Sequence, residues 1–202
     1  MKPYSETGYR IFYLIRPVFR FLLRIKAEGV ENIPKEGPCI IASNHRSYLD
    51  PPVINIVSPR PVLFLAKREL FEVLAFGWFI RKAGAIPVNR DGKDISSLKK
   101  ALNVLKEGNC IGIFPEGSRA KPREFKKPRS GVGFLIEKAK VPVIPVLIEG
   151  TDKVLPVKSK LPKLFMYNIE VVIGKPVNFH GISSYESVAE KVMEEIKKLR
   201  RG

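Results

Sequence analysis

Short apolar runs recur along this chain, and their spacing restricts the possible folds more than any other feature. Residues 38–43, 61–66, 85–88, 110–114, 142–148 and 168–174 read as strands: brief, rich in Ile, Val and Leu, and nearly free of charge. Segments of helical character lie among them at 51–57, 69–82, 94–107 and 131–140, and a last one spans 184–200. Strands that are apolar at almost every position need cover on both faces. Intervening helices supply that cover, together with the crossovers that parallel strands require. The expected fold class is therefore α/β, a sandwich with a mostly parallel central sheet flanked by helices. In such sheets the loops at the carboxyl ends of the strands gather into a site. Four candidate loops carry polar clusters: 44–50, 89–94, 115–129 and 149–153.

The segment before this pattern has a different logic. In "YRIFYLIRPVFRFLLRIK", Arg16, Arg20 and Arg24 fall four apart. At about 100° per residue they form one helical stripe, with Arg10 beside it. The remaining surface is Ile, Phe, Tyr, Leu and Val, and Pro17 is expected to kink the segment or divide it into two short helices. A broad apolar face edged with arginine suits a helix lying in a membrane interface. A helix packed on the core with its arginines in water would carry the same pattern. The expected organisation is an N-terminal amphipathic helical motif over 1–26, acting as an interfacial anchor, followed by one catalytic domain over 27–202. No uncharged apolar run approaches the roughly 18 residues of a membrane span, and arginines interrupt what would be a signal peptide. The expected location is peripheral or monotopic, on the cytoplasmic face of the cell membrane.

Charge narrows the choice of partner. Thirty-six Lys and Arg against 20 Asp and Glu leave a net +16, so an anionic partner is expected. Nucleic acid, an anionic membrane and phosphorylated substrates all fit that number. No RNA-recognition or helix-turn-helix signature stands out, so nucleic acid is not the expected partner. Cys39 and Cys110 sit in apolar runs without a C-x-x-C spacing, which reads as reduced core thiols and no metal site.

Chemistry-bearing residues concentrate in the candidate loops. His45, one of two histidines, stands five residues before Asp50 in "SNHRSYLDPP". Asp50 could simply cap a helix that begins at Pro51. It could also hold His45 through Nδ1, leaving Nε2 as a general base. Arg90 follows the apolar run "AIPV" closely and could grip phosphate, although Asn-Arg-Asp-Gly is equally a surface turn. In "IFPEGSRAKPREFKKPRSG", Pro115-Glu116-Gly117 makes a tight turn and Arg119 follows. Six cations and one acid lie between 119 and 129. Ser118 does not sit in a G-x-S-x-G elbow, so a serine nucleophile is not indicated. "GVGFLI" at 131–136 is not a dinucleotide fingerprint, and no P-loop occurs. "VPVIPVLIEG" is a buried strand whose Pro142 and Pro145 limit its pairing.

These stretches, in this order and spacing, resemble the glycerolipid acyltransferase family, particularly its bacterial 1-acyl-sn-glycerol-3-phosphate acyltransferases, over roughly residues 28–175. The family's Asn-His-x-x-x-x-Asp stands as Asn44-His45-Arg46-Ser47-Tyr48-Leu49-Asp50. Its second motif resembles Gly84–Arg90. Its third, usually Phe-Pro-Glu-Gly-Thr-Arg, appears as Phe114–Arg119 with Ser118 in place of Thr, and its fourth as Val141–Pro145. The resemblance implies direct acyl transfer from acyl-CoA or acyl carrier protein to the sn-2 hydroxyl of lysophosphatidic acid, giving phosphatidic acid without a cofactor or metal. It implies His45 and Asp50 as the catalytic pair. Arg90, Arg119 and Lys67 would hold the acceptor phosphate, and Asn44, Glu116, Gly117 and Ser118 would shape the pocket. Residues near Ile144 and Pro145 would contribute to the acyl and oxyanion region, and side chains from 70–80 would receive the acyl chain. Membrane phospholipids are the implied surroundings. Other lysophospholipid or amino-lipid acceptors, water as acceptor, and a non-catalytic protein that binds anionic lipid remain as alternatives.

Overall fold

Cys39–Ser43 (β2) is buried at every position, and its side chains divide between two cores. Cys39 and Ile41 join one apolar cluster, while Ile40 and Ala42 join another on the opposite face. That division is what a strand covered on both sides requires, and it explains why the run reads as continuously apolar. The structure, a computed structural model, describes residues 6–67, 72, 86–88, 95–157, 159, 161–179, 181 and 184–200.

In chain order the described elements are α1 (Glu6–Leu22), β1 (Ile25–Glu28), β2, α2 (Asp50–Val57), β3 (Val62–Lys67), β4 (Ile86–Val88) and α3 (Ile95–Lys106). There follow β5 (Cys110–Ile113), α4 (Ser130–Ala139), β6 (Val143–Glu149), the single turn α5 (Thr151–Val154), β7 (Ile169–Ile173) and α6 (Tyr185–Lys198). The strands form one sheet in the order β1-β7-β6-β2-β5-β3-β4. The five strands from β6 to β4 run parallel, so their carboxyl ends share one edge. β7 pairs antiparallel with β6 and β1 parallel with β7, so that outer pair runs the other way. Residues of α2 pack in the first core cluster, with Phe12 of α1 against it; residues of α3, α4 and α6 pack in the second. The fold is thus the expected α/β sandwich with a mostly parallel, mixed sheet.

Boundaries expected from sequence fall within about two residues of those observed for the described elements. The helix expected over 69–82 lies outside the described residues apart from Glu72. Three small elements escaped the reading: β1, α5 and a 3-10 turn at Val30–Asn32. β1 carries Lys26 and Glu28 on its outward side, and α5 is only four residues long. Pro145 sits inside β6 without disrupting it. Its neighbour on the β7 side is the bend after Ile173, where Gly174 N–H donates to the Pro145 carbonyl at 2.8 Å and the missing proline N–H is not needed.

The N-terminal segment settles part of what was expected of it. Pro17 lies inside one helix running from Glu6 to Leu22, so of the two expected outcomes, a kink or a division, the division does not occur. Arg24 lies beyond that helix, in the left-handed region at φ 49°, so it extends the stripe from a turn. Within the stripe Arg16 turns to the protein, while Arg10, Arg20 and Arg24 stay exposed. Arg16 donates through Nη1 to the Ser58 carbonyl at 2.9 Å and lies 3.7 Å over the Tyr13 ring, while the Tyr13 hydroxyl bonds to the Pro59 carbonyl. The side left uncovered is apolar: Leu14 is 79% exposed and Phe21 73%, with Ile11, Ile15, Val18 and Phe19 also exposed. No helix among the described residues is long and apolar enough to cross a membrane.

Gly112 is the point where strand geometry reaches the site. A Cβ there would lie 2.2 Å from the Phe64 ring. That ring stacks on Phe114 at 5.4 Å between centroids, and Phe114 stacks on His45 at 4.0 Å. Gly112→Ala is therefore expected to displace Phe64 and tilt the stack. It should lower stability by about 1–3 kcal/mol and activity by roughly tenfold. Thermal unfolding and turnover measured on the same sample check this.

Candidate active site

The site forms at the edge where the parallel strands end. Residues 44–49 follow β2, residues 114–129 follow β5, and Gly150-Thr151 follow β6. Parallel pairing of these three neighbouring strands is what brings loops so distant in sequence together.

The loop holding His45 is tied down on several sides. Asn44 clamps the β6 backbone in both directions, donating through Nδ2 to the Ile148 carbonyl at 2.8 Å and accepting from Ile148 N–H at 2.7 Å. His45 N–H donates to Glu116 Oε1 at 3.0 Å, and the His45 carbonyl accepts from Ala120 N–H at 2.8 Å. Ser47 Oγ donates to the Leu155 carbonyl at 3.0 Å. A backbone fixed this way presents its imidazole in one orientation, against the face of Phe114.

Asp50 completes the orientation. Its Oδ2 lies 2.8 Å from His45 Nδ1 and also accepts from the backbone N–H groups of Arg46 at 2.6 Å and Ser47 at 2.8 Å. Its Oδ1 accepts from Thr151 Oγ1 at 2.6 Å. The carboxylate is 1% exposed and both oxygens are engaged. Because a carboxylate only accepts, the Nδ1 facing it must carry the proton, which leaves the Nε2 lone pair free. Asp50 is not the helix cap considered from sequence. It is the first residue of α2, and its side chain makes no capping bond to the helix.

Glu116 is a second buried acid with a structural role. Its Oε1 accepts from His45 N–H and its Oε2 from Lys126 N–H at 3.0 Å, which joins the β2 loop to both arms of the β5 loop. Burial pushes its carboxyl above the ordinary glutamate value, while the two backbone donors pull it partly back. Gly117 closes the turn at φ 68°, with its N–H donating to the Phe114 carbonyl at 2.9 Å. Ser118 Oγ accepts from Lys126 Nζ at 3.0 Å.

Arg119 lies over the Tyr48 ring at 3.8 Å and donates through Nη2 to the Tyr48 hydroxyl at 3.1 Å. Its Nη1 is buried and meets no acceptor among the described residues. The tyrosine thus holds the guanidinium by stacking while one donor edge stays uncommitted. Lys67 ends β3, in register with Val88 at the end of β4; its side chain, Arg90 and the 70–80 stretch apart from Glu72 lie outside the described residues. Ile144 is fully buried in the core and Pro145 lies at the β7 seam.

Several contributors escaped the sequence reading. Thr151 falls inside the loop 149–153 that was flagged, yet nothing in a lone threonine announces a bond to Asp50. Arg46 occupies a variable place in the His-Asp spacing but is 3% exposed, and its Nη1 lies 3.5 Å from Glu149 Oε1. Phe64 and Gly112 read only as strand residues. Beyond Phe114 lies an apolar cavity of about 190 Å³, lined among others by Leu65, Leu98, Ile113, Val132 and Leu135. Cys39 and Cys110 are free thiols facing each other across β2 and β5, away from these loops, and the hydrogen bond with Cys39, together with burial, holds the Cys110 thiol above its ordinary value.

Comparison with known proteins bears on the chain and its fold as a whole. The family profile described as Acyltransferase matches residues 24–149. A 1-acyl-sn-glycerol-3-phosphate acyltransferase of Bacillus subtilis is 30% identical over 184 residues, covering 87% of this chain and 87% of that protein. The protein of that name from Streptococcus pneumoniae is 32% identical, covering 95% of this chain and 74% of its own length. The chloroplastic enzyme LPAT1 of Arabidopsis thaliana is 32% identical over 78% of this chain, which spans only 44% of that longer protein. The crystal structure of the 1-acyl-sn-glycerophosphate acyltransferase PlsC from Thermotoga maritima superposes with a TM-score of 0.77 at 27% identity, over 96% of this chain and 76% of that one. A match that spans the His-Asp loop, the Glu116 turn and the sheet that joins them places this chain in the acyltransferase family.

Proposed function

We propose that the protein transfers a fatty acyl group from a thioester, acyl-CoA or acyl carrier protein, to the sn-2 hydroxyl of 1-acyl-sn-glycerol-3-phosphate, forming phosphatidic acid. The observation that carries this reading is the His45–Asp50 pair, locked at 2.8 Å in a loop whose Tyr48 also holds the Arg119 guanidinium with one donor edge uncommitted. The names of the bacterial relatives supply the acceptor.

The chemistry follows from the tautomer. His45 Nε2 takes the proton of the acceptor hydroxyl as the oxygen attacks the thioester carbonyl. The new ester bond forms, the carbon–sulfur bond breaks, and the imidazolium returns the proton to the departing thiolate. Asp50 stabilises that imidazolium while its geometry is held by Thr151 and two backbone donors. No acyl-enzyme and no cofactor is needed, in keeping with the lack of a serine elbow. Arg119, with Arg90 and Lys67, grips the acceptor phosphate and so fixes the hydroxyl near Nε2. Backbone groups near Ile144 and Pro145 belong to the proposed acyl and oxyanion region, and the apolar cavity behind Phe114 is suited to an acyl chain. α1 lies in the membrane interface on its exposed apolar face, on the cytoplasmic side, and gives the enzyme access to a lipid acceptor.

Arg119→Ala is expected to raise the apparent KM for the phosphorylated acceptor about tenfold or more and to lower kcat through misplacement. A 1-acylglycerol lacking phosphate should be affected little. Kinetics with the two acceptors check this; unchanged discrimination between them would remove Arg119 from the phosphate clamp.

A further inference from the structure

The chain "VKSKLPKLFMY" between α5 and β7 has no part in the site described above, yet it carries some of the most exposed large apolar side chains in the protein. Leu161 is 77% exposed and Met166 64%, with Leu164 and Phe165 exposed beside them. A segment of this kind on a water-facing surface needs a partner.

Its position names the partner. Phe165 N–H donates to the Leu22 carbonyl at 3.2 Å, and its ring meets Phe21 edge-on at 5.8 Å. Phe21 belongs to the uncovered apolar side of α1, seven residues on from Leu14, so helix and loop present one continuous apolar surface. The junction is held in an unusual backbone. Arg24 and Phe165 both adopt left-handed φ, 49° and 61°, and Arg24 Nη1 donates to the Phe165 carbonyl at 3.1 Å. A bulky residue in that region is strained, and two strained residues bonded to each other mark a geometry the fold maintains.

Charge identifies the surface that would cover it. Arg20, Phe21, Arg24, Lys26, Phe165 and Asn168 line a groove of about 630 Å³ at the junction. No acid occurs in residues 9–27 or 155–168, whereas those stretches carry Arg10, Arg16, Arg20, Arg24, Lys26, Lys158, Lys160 and Lys163. An apolar centre edged mainly by cations, with Glu170 in register beside Lys26 as a neighbouring acid, is complementary to an anionic bilayer, whose acyl region and headgroups match the two parts in turn. We propose that loop 161–166 is a second membrane-inserting element, docked alongside α1, and that the Arg20–Arg24–Lys26 groove between them takes the headgroup of an anionic phospholipid. This inference rests on the interfacial reading of α1.

An environment-sensitive fluorophore on single cysteines separates the two claims, since the native thiols are fully buried. The full chain is labelled at Met166→Cys, Leu161→Cys, Leu14→Cys and, as a control on the opposite face, Glu107→Cys. Emission is read with vesicles of phosphatidylglycerol and phosphatidylethanolamine, and with phosphatidylcholine alone. Positions 14, 161 and 166 should all shift to the blue on the anionic vesicles, and position 107 should not. Arg20→Gln with Lys26→Gln should weaken binding to the anionic vesicles about tenfold or more and change binding to phosphatidylcholine little. A shift at 14 without one at 161 or 166 overturns the second element and leaves the α1 reading standing. No shift at any position overturns both. A concentration-dependent shift at 166 without vesicles assigns the surface to a second copy of the chain and overturns the proposal. An equal loss on both vesicle types removes the headgroup groove.

Discussion

His45→Ala is expected to lower acyl-transfer turnover by about a hundredfold to ten-thousandfold, the range for losing a general base, with the fold intact. Folding should survive because the structural bonds at this position come from the backbone, whose N–H reaches Glu116 and whose carbonyl accepts from Ala120. Asp50 is not orphaned by the change, since the Arg46 and Ser47 N–H groups and the Thr151 hydroxyl still surround it. The check pairs kcat with a melting temperature. A folded variant that keeps near wild-type turnover would remove His45 from the chemistry.

Asp50→Asn should cost a comparable factor, about a hundredfold to ten-thousandfold, and it isolates charge from geometry unusually well. An asparagine can place its carbonyl where Oδ2 stands, keeping the two backbone donors and the imidazole. Its amide then faces Thr151 Oγ1, which can turn to accept. Both ends of the side chain stay satisfied, and what disappears is the negative charge behind the imidazolium. Turnover should fall sharply while the apparent KM for either substrate moves little. Asp50→Ala, by contrast, removes the acceptor of four donors, His45 Nδ1–H, the Arg46 and Ser47 N–H groups and the Thr151 hydroxyl, and should also reduce stability. Equal activity of Asp50→Asn and the unaltered protein would mean that the carboxylate only braces the loop.

Much of this was legible in the sequence, for reasons that can be traced. β2, β5 and β6 announce themselves because each is buried on both faces, so nearly every residue is apolar. β1 does not, because Lys26 and Glu28 alternate with Ile25 and Ala27 on a four-residue strand at the sheet edge. The reversed direction of β7 has no signature of its own; it follows from its antiparallel register with β6. In the site, His45 and Asp50 are readable since rare or charged residues at a fixed spacing stand out from an apolar background. Thr151 and Gly112 are not, because their roles exist only across the fold: one reaches an acid 101 residues away, the other leaves room for a ring on the next strand. The arginine stripe of α1 was visible as a pattern, but its direction was not. Periodicity tells which residues share a face and not what that face meets, and here Arg16 turns to the Ser58 carbonyl while leucine and phenylalanine face outward.

The central claim is direct transfer to a lipid hydroxyl with His45 as the base, and product balance tests it most directly. Purified protein is given 1-acyl-sn-glycerol-3-phosphate in anionic vesicles and an acyl thioester, with acyl-CoA and acyl carrier protein tried in turn. Free thiol, phosphatidic acid and free fatty acid are then measured together over time. The account predicts phosphatidic acid and thiol appearing one for one from at least one donor, with negligible fatty acid and no labelled acyl group retained on the protein. Thiol release matched by free fatty acid, or an acyl group trapped covalently on the chain, would contradict it.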